Sequence, residues 1–446
     1  MKKTKKIISA ACALLMTLSL AACNKTTATN SNTTVNVNNI AFTDFTKDIS
    51  TDKIYDTIKK LSATDNSRIT GFEGEKGSAE YIAKHFKDLG FTVEEQSLTI
   101  KAYKCTATEV NITAPESKKI SSHYLSFSKE TPKDGINADI VFGGMGTDSE
   151  LENAKVRGKL VLMQRGGDYF GVKTERAFTK GALGAIFYDQ NLEQLIAATL
   201  VNPSNIPAVA ILKSEAESIM GILNSGKSVK VTLKVDSECK DSTSKNIIAT
   251  MKSKKQSNGK NIVVGAHYDG VDTPAANDNA SGIATVMEAA RVLSKQKLDC
   301  DVKFIAFGAE EIGCIGSNKY VTSLTSKEKN NIIAMINLDM VGVGDTLTVH
   351  TAEKDAKSLP ADLAVSCMNK FKYKNTRIEQ ENSDHVPFEA AGIPVAYFEY
   401  NPSHQDAHTD NDTIEKIQKD NLLRACNVVT SICKEIGKNP VGFSKK

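Results

Sequence analysis

The stretch GAHYDGVDTPAANDNASGIATVMEAAR, residues 265–291, decides the fold. A predicted strand rich in Val and Gly ends there in two polar residues, His267 and Asp269. A helical pattern begins directly after the polar triplet centred on Asp278. Packing alone does not require polar groups at these points, since most charged side chains stay at the surface. The stretch therefore predicts a strand, a functional loop and a helix in succession.

Strands and helices alternate on both sides of this stretch. Hydrophobic periodicity predicts a helical region within 52–90 and a strand at 92–100. Further strands are predicted at 247–251, 262–267, 302–307 and 332–338, with a helix at 281–295. This alternation predicts an α/β fold, with a mixed central sheet and helices on both faces.

The segment between the two α/β parts has a different texture. From about residue 103 to 235 the chain holds short strands and turns, including VRGKLVLMQRGG at 156–167. We therefore expect a mainly-β domain at 103–235, inserted into a discontinuous main domain at 46–102 and 236–440.

The amino terminus has the pattern of an export signal. Lysines precede an apolar run at 7–20, which is shorter than the ~20 residues that a membrane span needs. The sequence LAAC at 20–23 resembles a bacterial lipobox, which predicts a signal peptide at 1–22 and a lipid on Cys23. A disordered tether is expected at 23–45, rich in Thr and Asn. The protein is then exported and anchored to the outer face of the cell membrane.

Charge and cysteine usage exclude several classes of protein. Removal of the signal lowers the formal net charge from +3 to about −1, and this balance gives no indication of nucleic-acid binding. The nine cysteines form no CxxC pair and no disulfide framework. Any metal must therefore be held by His and carboxylate groups.

Polar residues stand where the predicted strands end. They are His267 and Asp269 after the strand at 262–267, Asp278 before the helix, Glu310 and Glu311 after the strand at 302–307, and Asp339 after the strand at 332–338. Ligand sites of open α/β sheets lie at the carboxyl ends of strands, so these groups are expected on one rim.

Each of these residues also has an ordinary structural explanation. Asp278 could be a helix N-cap, the pair Glu310 and Glu311 a solvated loop, and His267 a hydrogen-bonded histidine. As a group, however, five carboxylates would repel one another unless cations neutralised them. The mixture of His with Asp and Glu suits zinc.

Six segments together resemble a known family. They are GAHYDGV (265–271), ANDNASG (276–282), FGAEEIGCIGS (307–317), NLDMVG (337–342), SDHVPFEAAGIP (383–394) and AHTDNDT (407–413). The set resembles the co-catalytic di-zinc aminopeptidases of the secreted bacterial leucyl-aminopeptidase type, which are related to glutamate carboxypeptidase. The segments at 158–166 and 180–189 are similar to the protease-associated domain often inserted in these enzymes. The resemblance extends from about residue 45 to 437.

The resemblance implies a set of metal ligands for two zinc ions. His267 and Asp339 would bind one ion, Glu311 and His408 the other, and Asp278 would bridge them. The expected partners are peptides with a free amino terminus.

The resemblance also implies two catalytic residues. Glu310 would be the general base, and Asp269 would orient the imidazole of His267 through its second nitrogen. The peptide bond between Asp278 and Asn279 is expected to be cis, as in the family.

The sequence departs from the family pattern near its last ligand. His404 competes with His408, although the Thr and Asp residues after His408 fit the family's HTxxDT pattern. Ala407 stands where some relatives have a Tyr that stabilises the oxyanion, so Tyr397 or Tyr400 is a candidate substitute. Cys314 is expected to be a small buried thiol.

Alternative functions remain at this level. Asp384 and His385 match a family motif near the pocket and suit either a structural role or a substrate contact. The related carboxypeptidases and glutaminyl cyclases, and a non-catalytic binding protein on the same scaffold, are the other function classes. The presence of His267 argues against the cyclases, which do not keep this histidine.

Overall fold

A computed structural model describes residues 37–63, 67–196, 198–254, 259–351, 357–379, 382–402 and 405–444. The predicted signal peptide, Cys23 and the first part of the predicted tether lie outside these residues. Among the described helices, none combines the length and the apolar character that a membrane span requires.

Strands and helices alternate along most of the chain, as the sequence pattern predicts. The strands are β1 (Thr92–Ala114), β2 (Lys118–Ile120), β3 (Ser122–Ser126), β4 (Ile136–Phe142), β5 (Leu160–Gln164), β6 (Gly184–Tyr188), β7 (Ala198–Thr199), β8 (Ala208–Ile211), β9 (Lys230–Met251), β10 (Asn261–His267), β11 (Asp301–Phe307), β12 (Ile332–Leu338), β13 (Thr346–Thr351), β14 (Asn375–Glu379) and β15 (Val395–Asn401). The helices are α1 (Thr51–Leu61), α2 (Glu73–Asp88), α3 (Asp148–Ala154), α4 (Phe170–Thr179), α5 (Lys213–Asn224), α6 (Gly282–Leu293), α7 (Ile315–Ser323), α8 (Ser326–Asn331), α9 (Leu359–Lys370), α10 (Val386–Ala390) and α11 (Lys419–Lys438).

The strands form a mixed sheet in the order β14-β13-β15-β12-β10-β11-β9-β4-β5-β6-β8-β3-β7. Strands β10, β11, β12 and β15 are parallel, while β9 runs antiparallel to β11. The predicted mixed sheet is therefore confirmed. The parallel strands β10, β11, β12 and β15 end at the same edge.

Helices cover both faces of the main-domain sheet. Ile262 and Val264 of β10 belong to a hydrophobic cluster that includes buried residues of α6 and α11. Val263, between them, points to the other face and packs in a cluster with Tyr320 of α7 and Phe388 of α10. Side chains of a strand alternate between faces, so a strand that is apolar throughout is covered on both sides.

A long antiparallel ribbon joins the main domain to the segment expected as an insert. β1 pairs with β9 from Thr92 opposite Thr250 to Ala114 opposite Lys230. A separate hydrophobic cluster begins at Tyr103 and ends at Val235, and it includes buried residues of β4, β5, β6 and β8. The expected boundaries at 103 and 235 therefore fall inside continuous strands, and no linker separates the two parts there.

The packed chain begins before residue 46, where the tether was expected to end. Phe45 is 2% exposed and belongs to the main hydrophobic cluster, and its backbone N–H donates to Asn427 Oδ1 of α11 at 2.8 Å. Phe42 is buried in the same cluster. The prediction of a tether as far as residue 45 is wrong for these last residues, because Phe42 and Phe45 pack in the main hydrophobic cluster.

Candidate metal centre

The carboxyl ends of the parallel strands bring the predicted residues together. His267 is the last residue of β10, and Asp339 directly follows β12. Glu310 and Glu311 lie in the loop after β11, and His408 lies beyond β15. Neighbouring parallel strands place these positions side by side, as expected for a ligand site of an α/β sheet.

Asp278 reaches the site from an irregular turn before α6. The turn spans Ala276–Ser281, and the Asp278–Asn279 peptide is cis, as expected. The Asn279 side chain accepts from Gly282 N at 2.8 Å and donates to Leu338 O at 2.9 Å. These bonds tie the turn both to the start of α6 and to the end of β12.

The two carboxylate oxygens of Asp278 face two different imidazoles. Oδ1 lies 3.4 Å from His267 Nε2, and Oδ2 lies 3.2 Å from His408 Nε2. The same nitrogen of His267 is 3.4 Å from Asp339 Oδ1, and that of His408 is 3.0 Å from Glu311 Oε2. The site thus consists of two histidine–carboxylate pairs that share Asp278.

This set of groups fits divalent cations. Ligand atoms of His267, Asp278 and Glu311 all lie within 4.8 Å of one another. Glu311 Oε1 and Asp339 Oδ1 are buried, and neither has a hydrogen-bond partner in the described part of the chain. A buried polar atom without a partner is costly, and a bound metal removes that cost. Imidazole and carboxylate ligands are the donors that zinc accepts.

The electrostatics of the site also favour the binding of cations. Burial raises the pKa of Glu310 well above its usual range, and the neighbouring carboxylates of Glu311 and Asp339 raise it further. The carboxylate of Glu311 raises the pKa of His408 to about 12. Acids crowded in this way hold protons, or attract cations, to offset their mutual repulsion.

Asp269 fixes the backbone of the two glutamates. Its Oδ1 accepts from Glu310 N at 3.1 Å, and its Oδ2 accepts from Glu311 N at 3.2 Å and from Thr70 Oγ1 at 2.7 Å. The Nδ1 of His267 lies 3.3 Å from the Asp269 carbonyl oxygen and 3.6 Å from Asp269 Oδ1. The residue is therefore placed to orient the glutamate loop as well as the histidine.

The two adjacent glutamates occupy different places. Both line the cavity, but Glu311 contacts His408, whereas Glu310 Oε2 is 3.9 Å from His267 Nε2. The Cys314 thiol donates to Glu310 Oε1 at 3.3 Å, and burial raises the pKa of this thiol above its usual range. A protonated thiol in this position is a hydrogen-bond donor and a poor nucleophile.

Two further residues hold the metal-site loops, and neither was predicted from the sequence. Ser383 donates to Asp339 Oδ2 at 2.9 Å, which leaves Oδ1 directed at His267. Asp412 accepts from the backbone N–H groups of Asn277 at 2.7 Å and of Asp278 at 2.9 Å. Asp412 lies in the quoted motif AHTDNDT, and this motif is the sequence feature that could have indicated its role.

The buried guanidinium of Arg68 also supports the loop that follows β10. It donates to the carbonyl oxygens of Tyr268 and Ala275, both at 2.8 Å, and of Leu61 at 2.7 Å. No motif in the sequence distinguishes this arginine, because all three of these partners are backbone atoms.

The structure brings His408 to the site, while His404 lies outside the described residues. Ala407 lines the cavity beside it. The Tyr397 hydroxyl donates to Glu399 Oε2 at 3.3 Å, and its ring stacks against His350 and His385. The Tyr397 hydroxyl, which is a candidate for stabilising the oxyanion, therefore already has a buried carboxylate as its partner.

Three other sequence candidates are buried. Asp384 and His385 are fully buried. Burial raises the pKa of Asp384 to about 7. Tyr400 is also buried, with 1% exposure.

A cavity of about 730 Å³ opens onto the candidate metal ligands. Its main-domain walls include Asp278, Glu310 and His408, and the segment between β5 and β8 contributes Arg165 and Ile196. Residues of the expected insert thus form part of the wall of the metal site.

Comparison with known proteins identifies the family. The model described as Peptidase family M28 matches residues 246–433, and the PA domain model matches residues 131–219. The chain is 33% identical over 398 residues to Aminopeptidase YwaD of Bacillus subtilis, which covers 86% of this chain and 84% of that protein. The chain belongs to peptidase family M28.

Two further relatives show how widely the family resemblance extends. The M28 chain superimposes on the crystal structure of BSAP, a zinc aminopeptidase from Bacillus subtilis, with a TM-score of 0.74 and 32% identity, covering 89% of this chain and 97% of that one. It is 30% identical over 306 residues to the Probable lipoprotein aminopeptidase LpqL of Mycobacterium tuberculosis, which covers 66% of this chain and 59% of that protein. The resemblance inferred from the motifs, including the PA domain, is confirmed.

Proposed function

We propose that this M28 peptidase is a zinc-dependent aminopeptidase that removes amino-terminal residues from peptides. The observation that carries the proposal is the pair of imidazoles facing the two oxygens of Asp278, at 3.4 and 3.2 Å. This arrangement gives each imidazole a carboxylate of its own and one carboxylate in common, as a pair of metal ions requires.

The proposed cofactors are two zinc ions. His267 and Asp339 would hold one, Glu311 and His408 the other, and Asp278 would bridge them. When bound, the ions lower the pKa of a water molecule and polarise the scissile carbonyl. The chain supports these ligands through Asp269, Ser383 and Asp412, and such supporting bonds fix the direction of each ligand atom.

Glu310 is the proposed general base. It lines the cavity but is farther from the histidines than the other carboxylates, with 3.9 Å between its Oε2 and His267 Nε2. A group that moves a proton must be free to exchange it, so it cannot be a firm metal ligand. Glu310 would take a proton from the attacking water and give it to the leaving amine.

The acids of the cavity would also hold the free amino terminus of the substrate. Glu310 and Asp339 line the cavity, and a substrate ammonium group between them would offset part of their charge. A peptide with a blocked amine would lose this interaction. The site is therefore proposed to be an exopeptidase site.

Two of the competing functions, a glutaminyl cyclase and a non-catalytic binding protein, lack a supporting feature in the site. A single-zinc cyclase would not need His267, which here contacts both Asp278 and Asp339. A non-catalytic binding protein would not need the base, yet Glu310 is present at the cavity wall. These contacts favour an aminopeptidase over both alternatives.

Metal analysis and a substrate panel test the proposal. Protein lacking residues 1–22 should contain two zinc ions per chain and hydrolyse aminoacyl anilides with a free amine. The same anilides with an acetylated amine should be cleaved at least ~100-fold more slowly, because they cannot present an ammonium group to the acids. Equal cleavage of free and blocked anilides would contradict the aminopeptidase assignment.

We also propose the expected domain division and membrane attachment. The insert would occupy 103–235, between the catalytic parts 46–102 and 236–440, and the separate hydrophobic cluster from Tyr103 to Val235 supports this division. The similarity to a protein named as a probable lipoprotein supports an exported, lipid-anchored enzyme.

A labelling experiment tests the anchor. Cells that produce the full-length protein and are fed labelled palmitate should incorporate label into it, and a Cys23→Ala precursor should incorporate none. A Cys12→Ala precursor is the matched control and should be labelled as the parent is. Undiminished labelling of the Cys23→Ala precursor would rule out the lipobox.

A further inference from the structure

The PA domain contributes an arginine to the catalytic cavity. Arg165 lines the cavity that also contains Asp278, Glu310 and Asp339. Its side chain is 48% exposed. The cavity therefore holds acids on its main-domain wall and a guanidinium on the wall that the PA domain supplies.

The backbone of Arg165 is held in the sheet of the PA domain. Its N–H donates to Tyr188 O at 2.8 Å, which continues the pairing of β5 with β6 by one residue. Gly166 and Gly167 follow with φ of 104° and 69°, values that other residues adopt only with strain. The chain thus turns sharply after Arg165 and leaves its side chain at the end of the strand.

A buried carboxylate holds the guanidinium in place. Arg165 Nη1 lies 3.0 Å from Asp189 Oδ2, and the Asp189 side chain is 5% exposed. The other oxygen of Asp189 accepts from the backbone N–H groups of Asn191 at 2.8 Å and Leu192 at 3.2 Å. Asp189 is therefore rigid and orients the arginine.

The guanidinium has further donors for a ligand. An arginine carries five N–H donors in a planar fork that matches a carboxylate. Among the described residues, Asp189 is the acid that pairs with Arg165, and it is paired through one nitrogen. The Arg165 side chain is half exposed and lines the cavity, so a second carboxylate can bind to it there.

We propose that Arg165 binds the terminal carboxylate of short peptide substrates and makes the enzyme selective for di- and tripeptides. This inference rests on the proposed aminopeptidase function. A cavity of about 730 Å³ would be about 11 Å across as a sphere, and an extended peptide spans ~3.3–3.6 Å per residue, so about three residues fit. A zwitterionic peptide of that length would place its ammonium group at the acids and its carboxylate at Arg165.

Three leucyl dipeptides that carry a carboxylate at the carboxyl terminus, nowhere, or on a side chain test the proposal. They are Leu-Gly with a free carboxylate, its amide, and Leu-Glu amide, whose only carboxylate is on a side chain. The zinc-loaded enzyme should cleave Leu-Gly about tenfold more efficiently in kcat/KM than its amide, mainly through KM, since a charged hydrogen bond distinguishes them. Leu-Glu amide should behave as the Leu-Gly amide does.

Variants then assign the preference to the arginine. The ratio of kcat/KM for Leu-Gly to that for its amide should fall towards one in Arg165→Ala, and Arg165→Lys should restore only part of it. Arg157→Ala is the matched control, because Arg157 is an exposed arginine of the same domain, and it should keep the parent ratio.

Each outcome separates the two proposals. A wild-type ratio near one, with active hydrolysis of leucyl anilide, would overturn the role of Arg165 and leave the aminopeptidase assignment standing. Failure to cleave the anilide would overturn the assignment itself. A preference for Leu-Glu amide over Leu-Gly amide would show that Arg165 selects acidic side chains, which would contradict the proposed binding of the terminal carboxylate.

Discussion

Replacing Glu310 by Gln should lower kcat by at least ~10²–10⁴-fold, while both zinc ions stay bound. Glutamine has the size of glutamate and can keep the contact with the Cys314 thiol, but its amide cannot take a proton from water. The backbone N–H of residue 310 would still donate to Asp269 Oδ1, which holds the loop in place. Kinetics on leucyl anilide, together with zinc analysis of the same preparation, measure both effects.

The neighbouring residue supplies a matched control. Glu311→Gln makes the same chemical change one position along the chain, at the carboxylate whose Oε2 is 3.0 Å from His408 Nε2. It should reduce zinc content, whereas Glu310→Gln should not. Retained turnover in a zinc-loaded Glu310→Gln enzyme would contradict the assignment of the base. Lost zinc in that variant would instead make Glu310 a ligand.

Local patterns predicted the strands around the site well. The strand predicted at 332–338 is β12 residue for residue, and the strand at 262–267 differs from β10 by one residue. These strands are buried on both faces, so their apolar runs are continuous and end abruptly at polar residues. The ends of such runs, where the ligands lie, are therefore visible in the sequence.

The ribbon between the domains was predicted less well. The strand expected at 92–100 continues in β1 to Ala114. Beyond residue 100 its exposed and buried positions alternate irregularly, and the pairing with β9 more than 100 residues away extends it. A pairing of that range leaves no local signal, so neither the length of the strand nor the absence of a linker could be predicted.

The candidate ligands could be predicted from the sequence better than the hydrogen bonds that support them. The side chains that meet at Asp278 come from motif residues. The strand ends placed His267 on the rim, and the family resemblance implied His408. No motif marks Arg68, and Ser383 lies in the quoted motif at 383–394 although its role was not predicted. Both act on distant segments, through hydrogen bonds to backbone carbonyls or to another side chain. Such bonds depend on tertiary structure and not on periodicity.

Replacing Asp278 by Ala should remove more zinc than replacing His408 by Ala. Asp278 contacts both imidazoles, so its loss weakens both ion sites, whereas His408 contacts only the half of the site that contains Glu311. We expect His408→Ala to lower zinc from two ions to about one, with affinity reduced by at least ~100-fold, above the effect of losing a residue that merely supports a ligand. Asp278→Ala should fall below one ion.

Equilibrium dialysis against buffered zinc, followed by elemental analysis, measures these stoichiometries. Folding should survive both changes, because the bonds from the 277–278 backbone to Asp412 do not involve the Asp278 side chain, and His408 is 37% exposed. The control is His404→Ala, which should keep two ions. Loss of zinc in that control, with retention in His408→Ala, would show that His404 and not His408 is the ligand. Equal losses in Asp278→Ala and His408→Ala would show that Asp278 serves one ion only, because a bridging carboxylate must affect both.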